Sequence, residues 1–99
     1  MTPEGRVKAK INHILNKHKV WSFMPVPTGF QSKTIDYLCC HKGWFIGIEA
    51  KAPGKEPTRL QNFTMRLIRE AGGLTFVVST DADIDMLDAV LGETNERAR

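Results

Sequence analysis

Across the first helix-length stretch the apolar residues fall at Val7, Ile11, Ile14 and Leu15, the three-and-four spacing of one helical face. Thr2 caps this helix, Pro3 opens it, and the pattern predicts an end near Lys19. The outer face carries Lys8, Lys10, Lys17 and Lys19, whereas Glu4 falls on the apolar stripe. The period then shortens. "VWSFMPVP" predicts a short strand stopped by Pro25 and Pro27, and "TGFQSK" a turn-rich loop. "TIDYLCC" and "WFIGIEAKA", rich in β-branched and aromatic residues, predict two strands joined by a hairpin turn at Lys42-Gly43.

After the loop "APGKEP", Pro57 opens a second helix with Leu60, Phe63, Leu67 and Ala71 on one face and Gly72-Gly73 as its stop. "LTFVVS" has strand length and predicts a strand buried on both sides. The last helix begins around "STDADID", where acids suit the positive end of the helix dipole, and finishes before Gly92. The predicted fold class is α/β: one domain over 1–92 with a mixed central sheet flanked by helices, then a polar tail over 93–99. There are no repeats.

Composition narrows the function classes. At 99 residues little room remains for a separate recognition domain. No apolar run reaches the length of a bilayer, and the N-terminus lacks a basic segment leading into an apolar one, so the expectation is a cytoplasmic protein without a membrane partner. A formal charge of +3 is compatible with a polyanionic partner without requiring one. Cys39 and Cys40 are strand neighbours that point to opposite faces, so packed, unbridged thiols are expected. His41 follows them, but no second ligand pair at loop spacing supports zinc. "DADIDMLD" imitates a calcium loop with Met86 in place of the turn glycine, and "PGKEPT" lacks most of a phosphate loop.

The hairpin holds the candidate chemistry. A two-residue turn at Lys42-Gly43 sets His41 opposite Trp44, and counting back along both strands sets Asp36 opposite Glu49. Opposed like charges are destabilising unless a cation sits between them. Lys51 projects from the same face, and Gly47 is expected to leave space beside the acids. Two hard oxygen ligands plus a carbonyl such as that of Ala50 suit Mg²⁺ or Mn²⁺. Such an ion lowers the pKa of a bound water and draws charge from a phosphoryl oxygen, and a nearby lysine orients the water or stabilises developing charge. That is phosphodiester hydrolysis. The competing reading makes Glu49 and Lys51 an exposed ion pair. Glu4 would either reach the metal's water shell or serve as a first-turn acid, and Gln61 would either bind a phosphate or metal water or be a surface glutamine.

These residues together resemble the PD-(D/E)XK nucleases, and more narrowly a minimal stand-alone VRR-NUC domain of the kind found in bacteria and phages. The resemblance covers nearly the whole chain: Glu4, "TIDYLCCHKGWFIGIEAKAPGK", "PTRLQ" and "AGGLTFVVS". Ile35 stands where the superfamily name has proline, a position that varies widely. The resemblance implies a restriction-endonuclease-like αβββαβ core, Mg²⁺ or Mn²⁺ at Asp36 and Glu49, Lys51 as catalytic lysine, and Glu4 and Gln61 in support. It also implies branched or junction DNA as substrate, homodimers similar to Holliday junction resolvases, and a bacterial or phage-infected cell. Lys10, Lys33, Lys55, Arg59 and Arg66 are the expected phosphate contacts. "VWSFMPVPTGF", with Trp21, Phe23, Met24 and Phe30, is the candidate dimer surface, at least half of its aromatics being expected in the core. The rival classes are a non-catalytic nucleic-acid-binding module and a small interaction domain with a structural ion pair.

Overall fold

The structure, a computed structural model, describes residues 1–26 and 35–98. The elements run α1 (Pro3–Lys17), β1 (Trp21–Phe23), β2 (Tyr37–His41), β3 (Trp44–Ala50), α2 (Arg59–Glu70), β4 (Leu74–Val78) and α3 (Asp81–Glu93). This is the predicted α/β order with its αβββαβ core. The strands form one mixed sheet in the order β1-β2-β3-β4, antiparallel except for the parallel β3–β4 pair that α2 connects. Among the described residues no helix is long and apolar enough to cross a membrane.

Local chemistry sets the elements. Thr2 accepts the N–H of Gly5 ahead of α1, and Thr58 and Thr80 close reciprocal capping boxes with Gln61 and Asp83 at α2 and α3. Lys42 and Gly43 both have positive φ, 53° and 83°, the signature of the two-residue turn whose twist matches a hairpin. The ladder runs from His41↔Trp44 to Tyr37↔Ile48, the predicted register.

Alternation along these strands separates two layers. Tyr37, Cys39, Ile46, Ile48 and Ala50 pack with Val7, Ile11, Ile14 and Leu15 of α1 and Leu87 and Leu91 of α3 to form the core. On the opposite face Ile68 of α2 covers Gly47, where a β-carbon would come within 2.9 Å of the Ile68 Cδ1. Gly47 therefore admits the helix, and the expected space beside the acids is filled.

Four further expectations change. Only Val78 of β4 is buried, because the strand lies at the sheet edge instead of its centre. α3 passes through Gly92, where a β-carbon would come within 3.2 Å of the His18 ring; the glycine marks a close approach, not a stop. α2 buries Met65 and leaves Leu60, Phe63 and Leu67 exposed, so the apolar stripe read from the sequence is not its core face. Trp21 and Phe23 are 66% and 50% exposed and Met24 is also exposed, which corrects the expectation that at least half of that segment's aromatics are core; Phe30 lies outside the described residues.

The tail is docked beyond α3. The Arg97 N–H donates to the Lys42 carbonyl at 2.8 Å, its guanidinium donates to the Gly72 carbonyl and stacks 4.3 Å from the Trp44 ring centroid, and the Trp44 indole donates to the Asn95 carbonyl. Cys39 is buried, and burial, followed by the neighbouring Cys40, pushes its thiol up to about 12; Cys40 is exposed instead of packed, and both are free.

Candidate active site

One step beyond the Tyr37↔Ile48 pair, Asp36 meets Glu49, and the two acids hold each other through the backbone. The Asp36 N–H donates to Glu49 Oε1 at 3.1 Å, and the Ala50 N–H donates to Asp36 Oδ2 at 2.9 Å. Both carboxylates are withdrawn from water, with residue exposures of 3% and 2%. A strand residue sends its N–H and carbonyl to the same side, so the Ala50 carbonyl also leaves toward β2 and Asp36.

Glu49 is braced twice more. Gln61 Nε2 donates to Glu49 Oε2 at 2.8 Å, and Lys51 Nζ lies 3.4 Å from the same oxygen. Gln61 also closes the α2 capping box through its Oε1, so one side chain starts the helix and fixes the acid. Burial, then the charge of Asp36, raises the Glu49 carboxyl from its ordinary 4.5 to about 7 against the opposing pull of Lys51.

Lys8, read from the sequence as part of the solvated outer face, turns to the acids. Its Nζ lies 3.6 Å from Asp36 Oδ1 and 3.3 Å from Glu4 Oε2. Burial works to lower its pKa, and the charges of Asp36 and Glu4 more than offset this and raise it. Glu4 thus reaches Asp36 through a lysine. The available signal was the Glu-Lys spacing of one helical turn.

The five candidate catalytic residues, Glu4, Asp36, Glu49, Lys51 and Gln61, are linked by these contacts. The phosphate candidates separate. Arg59 and Arg66 line a shallow groove of about 430 Å³ with Asn62, Phe63 and Arg69 on the outer side of α2. Arg69, not singled out from the sequence, also donates to Thr75 Oγ1 at 2.8 Å. Lys10 is paired with Asp81 at 2.6 Å, Lys55 is exposed in the β3–α2 loop, and Lys33 lies outside the described residues.

Asp36, Glu49 and the Ala50 carbonyl suit a hard divalent cation: their donors are oxygens, and two carboxylates are buried side by side, where burial and then the charge of Asp36 raise the Glu49 pKa. Among the described residues no group of three or more His, Cys, Asp or Glu side chains forms a metal cage. Such a cage is not needed for Mg²⁺, which proteins usually hold through one or two carboxylates while it keeps several waters.

Fold and acid pair together define a class, the mixed-sheet αβββαβ domain with paired carboxylates at the open end of its hairpin. A solved structure described as a VRR_NUC domain shares this fold, with a TM-score of 0.72 and 21% sequence identity over 94% of this chain and 98% of that one. The fold is that of a VRR-NUC domain. No family model and no curated protein matches the chain.

Proposed function

We propose that the protein is a divalent-metal-dependent endodeoxyribonuclease that hydrolyses phosphodiester bonds in branched DNA, such as Holliday junctions, as a homodimer. The observation that carries this reading is the reciprocal locking of two buried acids, Asp36 and Glu49, with Lys51 and Gln61 on the same carboxylate oxygen. Asp36, Glu49 and the Ala50 carbonyl would hold Mg²⁺ or Mn²⁺, which when bound supplies an activated water and draws charge from the phosphoryl oxygen. Lys51 orients the attacking water or stabilises the charge that develops on phosphate oxygen. Gln61 keeps Glu49 in one rotamer, and Glu4 shares the Lys8 ammonium with Asp36 at the edge of the site. Arg59 and Arg66 take the phosphates flanking the cut, with Lys10, Lys33 and Lys55 as further contacts.

Symmetric cleavage of a four-way junction needs two active sites, and a pair of chains with one acid pair each provides them. The dimer surface proposed is the half of the sheet that α2 leaves uncovered. Trp21 pairs with Cys40 and Cys40 with Phe45, while Phe23 pairs with Leu38, so all share the α2 face. Leu60 and Leu67 lie about half a turn round α2 from Arg69, which holds edge strand β4, and so border this open half.

The test compares cleavage of a four-way junction, a flap and plain duplex with Mg²⁺ or Mn²⁺ by wild type and Lys51→Ala. Junction or flap cutting by wild type, reduced at least about a hundredfold in the variant, is expected. Equal cutting by both would sink the mechanism, and binding without cutting by wild type would favour a non-catalytic module.

A further inference from the structure

We infer that Lys8 is a resident counter-cation of the site: its ammonium stands between Glu4 and Asp36, yields its place when a divalent ion binds, and so lowers the affinity for that ion. This rests on the reading of Asp36 and Glu49 as the metal site.

The geometry favours a displaceable cation over a fixed ion pair. The Lys8 Nζ is 3.6 Å from Asp36 Oδ1 and 3.3 Å from Glu4 Oε2. Both separations exceed the roughly 2.7–2.9 Å of a tight charge-assisted hydrogen bond. The ammonium is shared by two carboxylates and locked on neither. Glu4 sits one turn before Lys8 on α1 and its carboxylate is more exposed than that of Asp36, so it offers the ammonium somewhere to retreat without leaving the protein. Lys51 has a different place, against Glu49 Oε2 at 3.4 Å on the other acid.

The consequence is competition. A divalent ion on Asp36 and an ammonium within about 4 Å of the same carboxylate repel each other, and the partly buried site screens that repulsion weakly. Lys8 therefore offsets part of the acid repulsion in the metal-free protein and opposes the ion that replaces it. Lysine suits this task, being a compact charge on a flexible stem, whereas arginine would grip both carboxylates with its planar fork.

The experiment is calorimetric titration of the whole protein with MnCl₂, alongside thermal melts with and without Mn²⁺, for wild type, Lys8→Met, Lys8→Arg and Asp36→Asn. Lys8→Met is expected to bind Mn²⁺ about tenfold tighter, a difference of about 1.4 kcal/mol, with a lower metal-free Tm and a larger Mn²⁺-induced rise. Lys8→Arg is expected to bind several-fold more weakly than wild type, and it decides the matter if Lys8→Met does not fold. Affinity in Lys8→Met equal to or below wild type, or in Lys8→Arg equal to or above it, overturns the role of Lys8. If Asp36→Asn still abolishes binding, the metal site survives that result. Absence of Mn²⁺ binding by wild type removes both readings.

Discussion

Glu49 accepts the backbone N–H of Asp36 while Asp36 accepts the N–H of Ala50, so each acid is positioned by the strand segment that carries the other. Two carboxylates that would repel are held together by peptide donors and by the chain's own cations, Lys8 and Lys51. The cost appears in the raised pKa of Glu49.

That cost predicts a pH dependence. The native state keeps a proton on Glu49 up to about pH 7, whereas the unfolded chain releases it near the ordinary 4.5. Between these values the native state binds more protons, so metal-free stability falls as pH rises through the window. Asp83 and Asp88, whose pKa values are lowered, act with the opposite sign below it, losing their contribution as pH falls past 3.8. Urea denaturation at pH 5 and pH 7.5 is expected to show the decline in wild type and a flatter profile in Glu49→Gln; equal slopes would place the proton elsewhere.

Gln61 has two tasks that substitution can separate. Gln61→Ala loses both the capping box and the brace on Glu49, and is expected to cost about 1–2 kcal/mol in chemical denaturation. Gln61→Glu retains the box but sets a third carboxylate against Glu49 Oε2 in place of a 2.8 Å donor. Its destabilisation is expected to be larger at pH 8 than at pH 5. Wild-type stability of Gln61→Glu at both pH values, beside a loss in Gln61→Ala, would mean that capping is the main role.

The docked tail predicts a stability effect without an effect on metal binding. Arg97→Ala removes the stack on Trp44 and the tie to Gly72, and is expected to lower stability by about 1 kcal/mol, or a Tm shift of about 4–8 °C in a domain of this size. Mn²⁺ affinity should stay at the wild-type value, because these contacts lie at the hairpin turn, the end of the strands opposite the acids.

The uncovered half of the sheet predicts association. Phe23→Ser combined with Leu67→Ser is expected to convert a dimer into a monomer in sedimentation equilibrium while keeping the wild-type circular dichroism spectrum. A dimer constant unchanged by the pair would move the interface elsewhere.

The linear order of the chain already carried the element types and the hairpin register, because helix and strand periods and the Lys42-Gly43 turn are local properties. Once that turn is set, a strand period of two brings Asp36 to Glu49, so the heart of the candidate site was legible. Gln61 and Lys51 followed from their nearness in sequence to that strand end. Lys8 did not: counting it with the outer lysines hid that it stands one turn after Glu4 and two turns before Leu15, at the edge of the apolar stripe, and only the docking of α1 brings it to Asp36. The exposure of Leu60, Phe63 and Leu67 was likewise hidden, since an apolar stripe does not say whether a sheet, a partner or water meets it. Gly47 and Gly92 looked like space and a stop and proved to be close approaches to Ile68 and His18. Periodicity and turn chemistry act between neighbours along the chain, whereas burial and long-range charge pairing depend on which surfaces come together, and that is settled only when the helices pack on the sheet.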